Sequence, residues 1–248
     1  LLTNRYKFAG INFMVYLCNI KYTFTMSKKL LFTTFAALLL LISCEKEQPE
    51  DYSIPVDGDG NTYKTLIIGT QTWMVGNLRT THLNDGTPIE QDVQWKNANT
   101  KPVFCYYDNN ASNDSTYGML YNWHAVNSGK LAPKGWHVAT LQDWETLAAR
   151  FGGLSKAGGA LKALELWSEP NTGVTNSSGL GLLPTGCCLG ARESGIFEEQ
   201  GDFGYWWSST PGQMGGGWRM KLSYNSEVLD GLGSSGPDFG YAVLCVKD

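Results

Sequence analysis

Histidine is scarce in this 248-residue chain. His82, His124 and His137 stand 42 and 13 residues apart, with no ligand spacing. The H-E-x-x-H pair that places two imidazoles on one helix face is absent, so that form of zinc hydrolase is excluded. Cysteine is also sparse and never spaced C-x-x-C, which removes zinc-ribbon and thioredoxin-like motifs. Gly-x-Ser-x-Gly and the phosphate-binding P-loop are missing. No apolar run is long enough to span a bilayer, which takes about 20 residues. Positive charge is short too, with 19 Lys and Arg against 23 Asp and Glu.

The segment Met26–Cys44, MSKKLLFTTFAALLLLISC, has the form of a secretory signal. Lys28 and Lys29 supply a positive start, and Leu30–Ile42 is an apolar stretch of 13 residues. Leu41-Ile42-Ser43-Cys44 resembles a lipobox, in which the cysteine is lipidated and becomes the new N-terminus. Cys44 is therefore the expected lipid site. Residues 1–25 begin with Leu1 and carry a second hydrophobic stretch ahead of Met26, so they read as an upstream extension. Residues 45–56 start Glu-Lys-Glu-Gln-Pro-Glu-Asp, polar and without periodicity, and read as a flexible tether. Such an acid-rich start resembles the surface-export signal of Bacteroidota lipoproteins, implying an outer-membrane protein exposed on the cell surface.

All five basic residues before Cys44 (Arg5, Lys7, Lys21, Lys28, Lys29) lack an acidic counterpart there, leaving 14 basic against 23 acidic residues after it, a net of −9. Such a balance argues against nucleic acid, and against membrane contact other than through the lipid. The nine tryptophans all lie after Cys44, enough for a substantial core in a domain from residue 57 to 248.

Within that domain, Thr62–Ile68 and Thr72–Val75 read as a hairpin across Gly69-Thr70. Val103–Tyr107 and Trp136–Val138 read as strands, and Tyr117–Val126 as a helix. Thr140-Leu-Gln-Asp143 has capping-box form, opening a helix over 141–151 that Gly152-Gly153 ends. Ala160–Trp167 suggests a third short helix. Beyond Asn171, glycine and serine dominate, and Leu180–Leu183, Tyr205–Ser208, Trp218–Leu222 and Tyr241–Val246 read as strands between long loops. Helices in the middle and strands at both ends give an α+β class. Trp206 and Trp207 point to opposite faces of one strand, placing one in the core and the other nearer the surface. Of the cysteines after Cys44, a bridge from Cys245 to Cys105, Cys187 or Cys188 stands beside the alternative of free buried thiols.

Several ordered blocks carry a family resemblance: Tyr63-Lys-Thr-Leu-Ile-Ile-Gly-Thr-Gln-Thr-Trp-Met74, Asn84-Asp-Gly-Thr-Pro-Ile89, Tyr117-Gly-Met-Leu-Tyr-Asn-Trp123, Leu131-Ala-Pro-Lys-Gly-Trp-His-Val138, Tyr205-Trp-Trp-Ser-Ser-Thr210 and Cys245-Val-Lys-Asp248. Together they resemble the Fibrobacter succinogenes major paralogous domain. The block Trp136–Arg150 also resembles the formylglycine-generating family. Both resemblances imply a C-type-lectin-like fold, with two main helices flanking small twisted antiparallel sheets and long Gly-rich loops. Leu244 departs from the family's usual arginine, and Cys187-Cys188 from its usual Gly or Tyr. The adjacent cysteines do not match the metal-holding pair of the formylglycine enzymes, so that activity does not carry over.

Glu169-Pro-Asn171 repeats a tripeptide that binds calcium and sugar in mannose-type lectins, but their second motif is replaced by Trp207-Ser-Ser209. Asp57-Gly-Asp-Gly-Asn61 mimics the start of an EF-hand loop, then fails at Thr62 and Ile68. No metal and no cofactor is expected. The resulting expectation is a non-enzymatic, surface-anchored, lectin-like binding or adhesin lipoprotein for an extracellular carbohydrate or protein. Its contacts are expected from Trp207, Met214, Trp218, Arg219, Ser223, Tyr224, Asn225, Glu227, Leu229, Asp230, Leu232, Ser234, Asp238 and Tyr241. The ending Trp-Ser-Ser-Thr to Cys-Val also resembles the hypervariable ligand-binding proteins of diversity-generating retroelements, where these positions vary on a fixed scaffold. A glycan-active or thiol-oxidising enzyme is the remaining alternative.

Overall fold

The computed structural model describes residues 54–190 and 195–248. The upstream extension, the signal, Cys44 and most of the tether lie outside the described residues. The tether's last residues do not hang free: Pro55 is buried, and Val56 forms a bridge to Thr62. None of the helices in the described residues is long and apolar enough to cross a membrane.

β1 (Lys64–Ile68) and β2 (Gln71–Val75) form the expected hairpin, with Ile68 opposite Gln71. Gly69 takes a φ of 65° at the first turn position, where a type II′ hairpin needs a left-handed residue. The C-terminal strand β12 (Cys245–Lys247) inserts between β2 and β6 (Trp136–Val138), giving the order β1-β2-β12-β6. A second sheet is small: β3 (Glu90–Gln91), β4 (Val103–Cys105) and β5 (Leu120–Tyr121). The third has five strands, β7 (Thr185–Cys188), β8 (Phe197–Gln200), β9 (Phe203–Pro211), β10 (Gly217–Ser223) and β11 (Asp230–Ser234), in the order β11-β10-β9-β7-β8. Single bridges from Tyr241 to Tyr121, Ala242 to Trp206 and Gly240 to Cys188 stitch the last stretch of chain across the second and third sheets.

Helices are few and short among the described residues. α1 (Asp114–Tyr117), α2 (Trp123–Asn127) and α4 (Ala157–Leu161) have four or five residues, and α3 (Leu141–Ala149) has nine. The architecture is mostly sheet, compatible with an α+β class. The expected second main helix is not formed, and the sheets are not purely antiparallel, because β3–β4 and β7–β9 pair in parallel.

α3 begins as its sequence dictates. Thr140 Oγ1 accepts from the Asp143 amide at 3.1 Å, and Asp143 Oδ2 accepts from the Thr140 amide at 2.9 Å. Other elements depart from the local pattern. Over 117–126, Gly118 turns the chain at φ 72°, Leu120 and Tyr121 join a sheet, and Asn122 caps α2 through the Ala125 amide. The helix expected over 160–167 is displaced to 157–161, because Lys162 is extended and Ala163 bonds to the Leu182 carbonyl. Leu180–Leu183 makes only a bridge, at Leu182, and the strand lies further on at β7. The strand expected over 103–107 ends at Cys105, and Tyr107 opens a 3-10 turn.

Two cores lie on either side of β9. Trp206 packs with Trp73 and Trp144, whereas Trp207 packs with Trp123 and Tyr241. Strand alternation explains the split. Neither ring is near the surface, since both are fully buried, which corrects the expectation for one of them. The same parity separates Cys188 from Cys187 and Leu244 from Cys245. All four described cysteines are free, so Cys245 is not bridged.

Candidate ligand cleft

On β10, Met220 and Leu222 point into the core, while Arg219 and Lys221 share the opposite face. That face meets the aromatic side of β9, where Tyr205 lies opposite Lys221. The Arg219 guanidinium sits 5.4 Å from the Tyr205 ring centre, and Lys221 Nζ sits 4.0 Å from that of Phe203. Cations over ring faces are held by the ring quadrupole, which helps to fix both side chains.

Above this face opens a cleft of about 340 Å³. Cys187 and Leu189 line it from β7 and its exit, Glu198 and Glu199 from β8, and Met214 from the β9–β10 loop. Tyr205, Arg219, Ser234, Ser235, Gly236, Phe239 and Tyr241 complete it. Three rings form a stack at its wall: Tyr205–Tyr241 at 5.2 Å and 20°, and Tyr241–Phe239 at 5.7 Å and 25°. The Tyr241 hydroxyl and Ser235 Oγ are 2.9 Å apart.

Neighbouring strand residues normally point to opposite faces, yet Glu198 and Glu199 both line this cleft. The cause is local backbone. Glu199 has a φ of 67°, facing Gly186 at 61°, so alternation fails at that step. Gly186 is required there, because a Cβ would lie 2.5 Å from the Glu198 carbonyl oxygen. A non-glycine residue in the left-handed region costs roughly 1–3 kcal/mol. The turned Glu199 carboxylate accepts a hydrogen bond from the Tyr205 hydroxyl.

Arg219 Nη1 is buried and has no hydrogen-bond partner. A buried guanidinium donor without an acceptor costs about 1–3 kcal/mol or more, and a small shift of the side chain toward the cleft would bring it to a partner. Reactive groups in the cleft are muted. Burial, then the Glu199 charge, pushes the Cys187 thiol up to about 12. Burial and the bond to Glu199 raise Tyr205, and burial raises Tyr241. All three are neutral near pH 7. No histidine lines the cleft, and the bases there are the Glu198 and Glu199 carboxylates. His137 is held elsewhere, with Nδ1 2.7 Å from Asp248 and Nε2 3.0 Å from Asp143. His82 contacts Asp59.

Among the described residues, no group of three or more His, Cys, Asp or Glu could hold a metal ion. The acidic turn at Asp57 is closed on itself, its Oδ1 accepting from the Asp59 amide at 3.0 Å and the Asn61 amide at 2.9 Å. Asn171 is buried and donates to the Ala163 carbonyl at 3.2 Å.

The contact residues expected from sequence do not form one surface. Met214, Arg219, Ser234 and Tyr241 meet at the cleft. Trp207 and Leu229 are fully buried, which corrects their assignment; Trp207 donates to the Tyr121 carbonyl at 2.7 Å, and the Leu229 amide to that of Leu154. Tyr241 is 3% exposed and offers little more than an edge. Ser223, Tyr224, Asn225 and Glu227 lie at and beyond the other end of β10, where Glu227 pairs with Lys156 at 2.7 Å. Asp230 stands across from Lys221, and Trp218 across from Ser234, on the β10–β11 ladder. The Asp238 carbonyl accepts from Trp95 Nε1 at 2.6 Å. For Leu232 only the backbone, in β11, is described. Sequence reading missed Glu198, Glu199, Cys187, Ser235 and Phe239 as one group, because pairing of β7 with β8 and β9 leaves no local signal.

The family model described as the Fibrobacter succinogenes major domain matches residues 66–247. No curated protein and no solved structure matches the chain.

Proposed function

The chain belongs to the Fibrobacter succinogenes major domain family, and from that premise we propose that it is a non-enzymatic binding module for an extracellular carbohydrate or protein ligand. The ligand enters the cleft between Glu198–Glu199 and Arg219. The observation that carries this reading is a cleft in which Arg219 stands beside a stacked aromatic wall. Concave sites where polar groups converge beside aromatic rings are where small ligands bind. The muted thiol and phenols support binding over turnover. A lipid on Cys44 would hold the module at the outer membrane, facing outward. The C-type-lectin-like fold is part of the same proposal, supported by the ordered blocks from Tyr63 to Asp248.

Binding of the full chain to an array of glycans and extracellular proteins, with and without chelator, tests this. Met214→Ala and Phe239→Ala should each weaken the captured ligand while thermal unfolding stays near the parent. Undiminished binding in both variants would move the site elsewhere.

A further inference from the structure

Resting on the binding-module reading, we infer that the cleft takes a hexuronate unit of a glycan, its carboxylate on Arg219. The charges differ in setting. Arg219 is partly buried where it lines the base of the cleft, whereas Glu198 and Glu199 line it as exposed residues. An ion pair formed at the base is worth more than repulsion across the solvated rim, because screening by water acts mainly on the exposed groups. A guanidinium also matches a planar carboxylate geometrically, through two parallel N–H···O bonds.

The remaining wall suits a sugar. Glu198 and Glu199 are acceptors only, and a carboxylate has about four acceptor sites, one of which Tyr205 uses on Glu199. Sugar hydroxyls supply the donors those oxygens lack. Phe239 and the exposed Met214 offer apolar contact for a pyranose C–H face. At about 340 Å³ the cleft is at the small end of ligand sites, which run from about 300 to 1,000 Å³, and one or two sugar rings fill it. Free sulfate brings neither hydroxyl donors for the two glutamates nor a C–H face for the rings, so it uses only half of the site.

Cellobiouronate and cellobiose differ by a carboxylate in place of a hydroxymethyl group and serve as probes. Titrated against the full chain with tryptophan fluorescence as readout, cellobiouronate should bind at least tenfold tighter than cellobiose and than its own methyl ester. Arg219→Gln should remove that preference, while Glu198→Gln should weaken both disaccharides and preserve it. Equal affinity for acid and ester, a preference that survives Arg219→Gln, or no binding of either disaccharide overturns the hexuronate assignment. The broader reading fails separately. If arrayed ligands are neutral and are lost in Phe239→Ala, the cleft stands and only the hexuronate falls. If they are indifferent to Phe239→Ala and Met214→Ala, the cleft itself falls.

Discussion

Gly233 on β11 lies directly across from Arg219 on β10, and the guanidinium lies over it. A Cβ at Gly233 would stand 2.9 Å from Nη2 and 3.0 Å from Cζ of Arg219. The near atoms belong to the end of a flexible side chain, so a methyl group there moves the guanidinium and not the backbone. Gly233→Ala should therefore leave the thermal midpoint within a few degrees of the parent and reduce cleft affinity roughly tenfold, about 1.4 kcal/mol. Calorimetric titration paired with thermal unfolding separates the two. Unchanged affinity would mean that the position of Arg219 does not matter.

His137 joins β6, the start of α3 and the C-terminal residue. Hydrogen bonding to Asp143, opposed by burial and aided by Asp248, raises its pKa above the usual 6.5. A raised folded-state pKa stabilises fully below the unfolded value and is lost as pH climbs through the folded one. Asp143 behaves oppositely. Burial pushes it up, but bonds from His137 and Thr140 outweigh that and hold it at about 2, so its contribution is lost as pH falls toward 2. Thermal stability should peak between about pH 4 and 6.5 and decline above it. His137→Gln should flatten the alkaline side, as melting curves across pH 4–9 will reveal.

Lys162 is fully buried, and its Nζ donates to the carbonyls of Thr172, Ser223 and Ser226 at 2.9, 3.1 and 3.1 Å. It ties the turn beyond β10 to the loop after α4. Lys162→Met keeps the stem and strands three acceptors, which should destabilise by about 3 kcal/mol. Urea unfolding measures this, and a loss below 1 kcal/mol would show that water replaces the ammonium.

Cys105, Cys187, Cys188 and Cys245 are buried thiols, and burial raises Cys105, Cys187 and Cys245. Thiolate is the reactive form, so iodoacetamide should label none of the four in the native domain. In denaturant without reductant, all four should be alkylated by mass. Two unlabelled cysteines would identify a disulfide.

Elements governed by local chemistry were legible in the sequence. The β1–β2 hairpin follows from Gly69, and the start of α3 from Thr140 and Asp143. Elements decided by distant partners were not. Leu120–Tyr121 has helix-compatible spacing but becomes strand because Phe104 and Cys105 lie across from it. The apolar parity of Trp206-Trp207 was readable, but a second core covering Trp207 was not, since Trp123 and Tyr241 come from far along the chain. The site divides in the same way. Arg219 and Met214 fall in the glycine-rich C-terminal stretch that the sequence itself marks out, whereas Glu198 and Glu199 join them only through a left-handed residue in β8.

Hydrogen–deuterium exchange of the full chain, alone and saturated with its captured ligand, addresses the central claim most directly. Protection confined to residues 196–200, 212–219 and 233–241 is the result expected if the ligand fills the cleft. Protection at 223–229 or on β1, with those three segments unchanged, would contradict it.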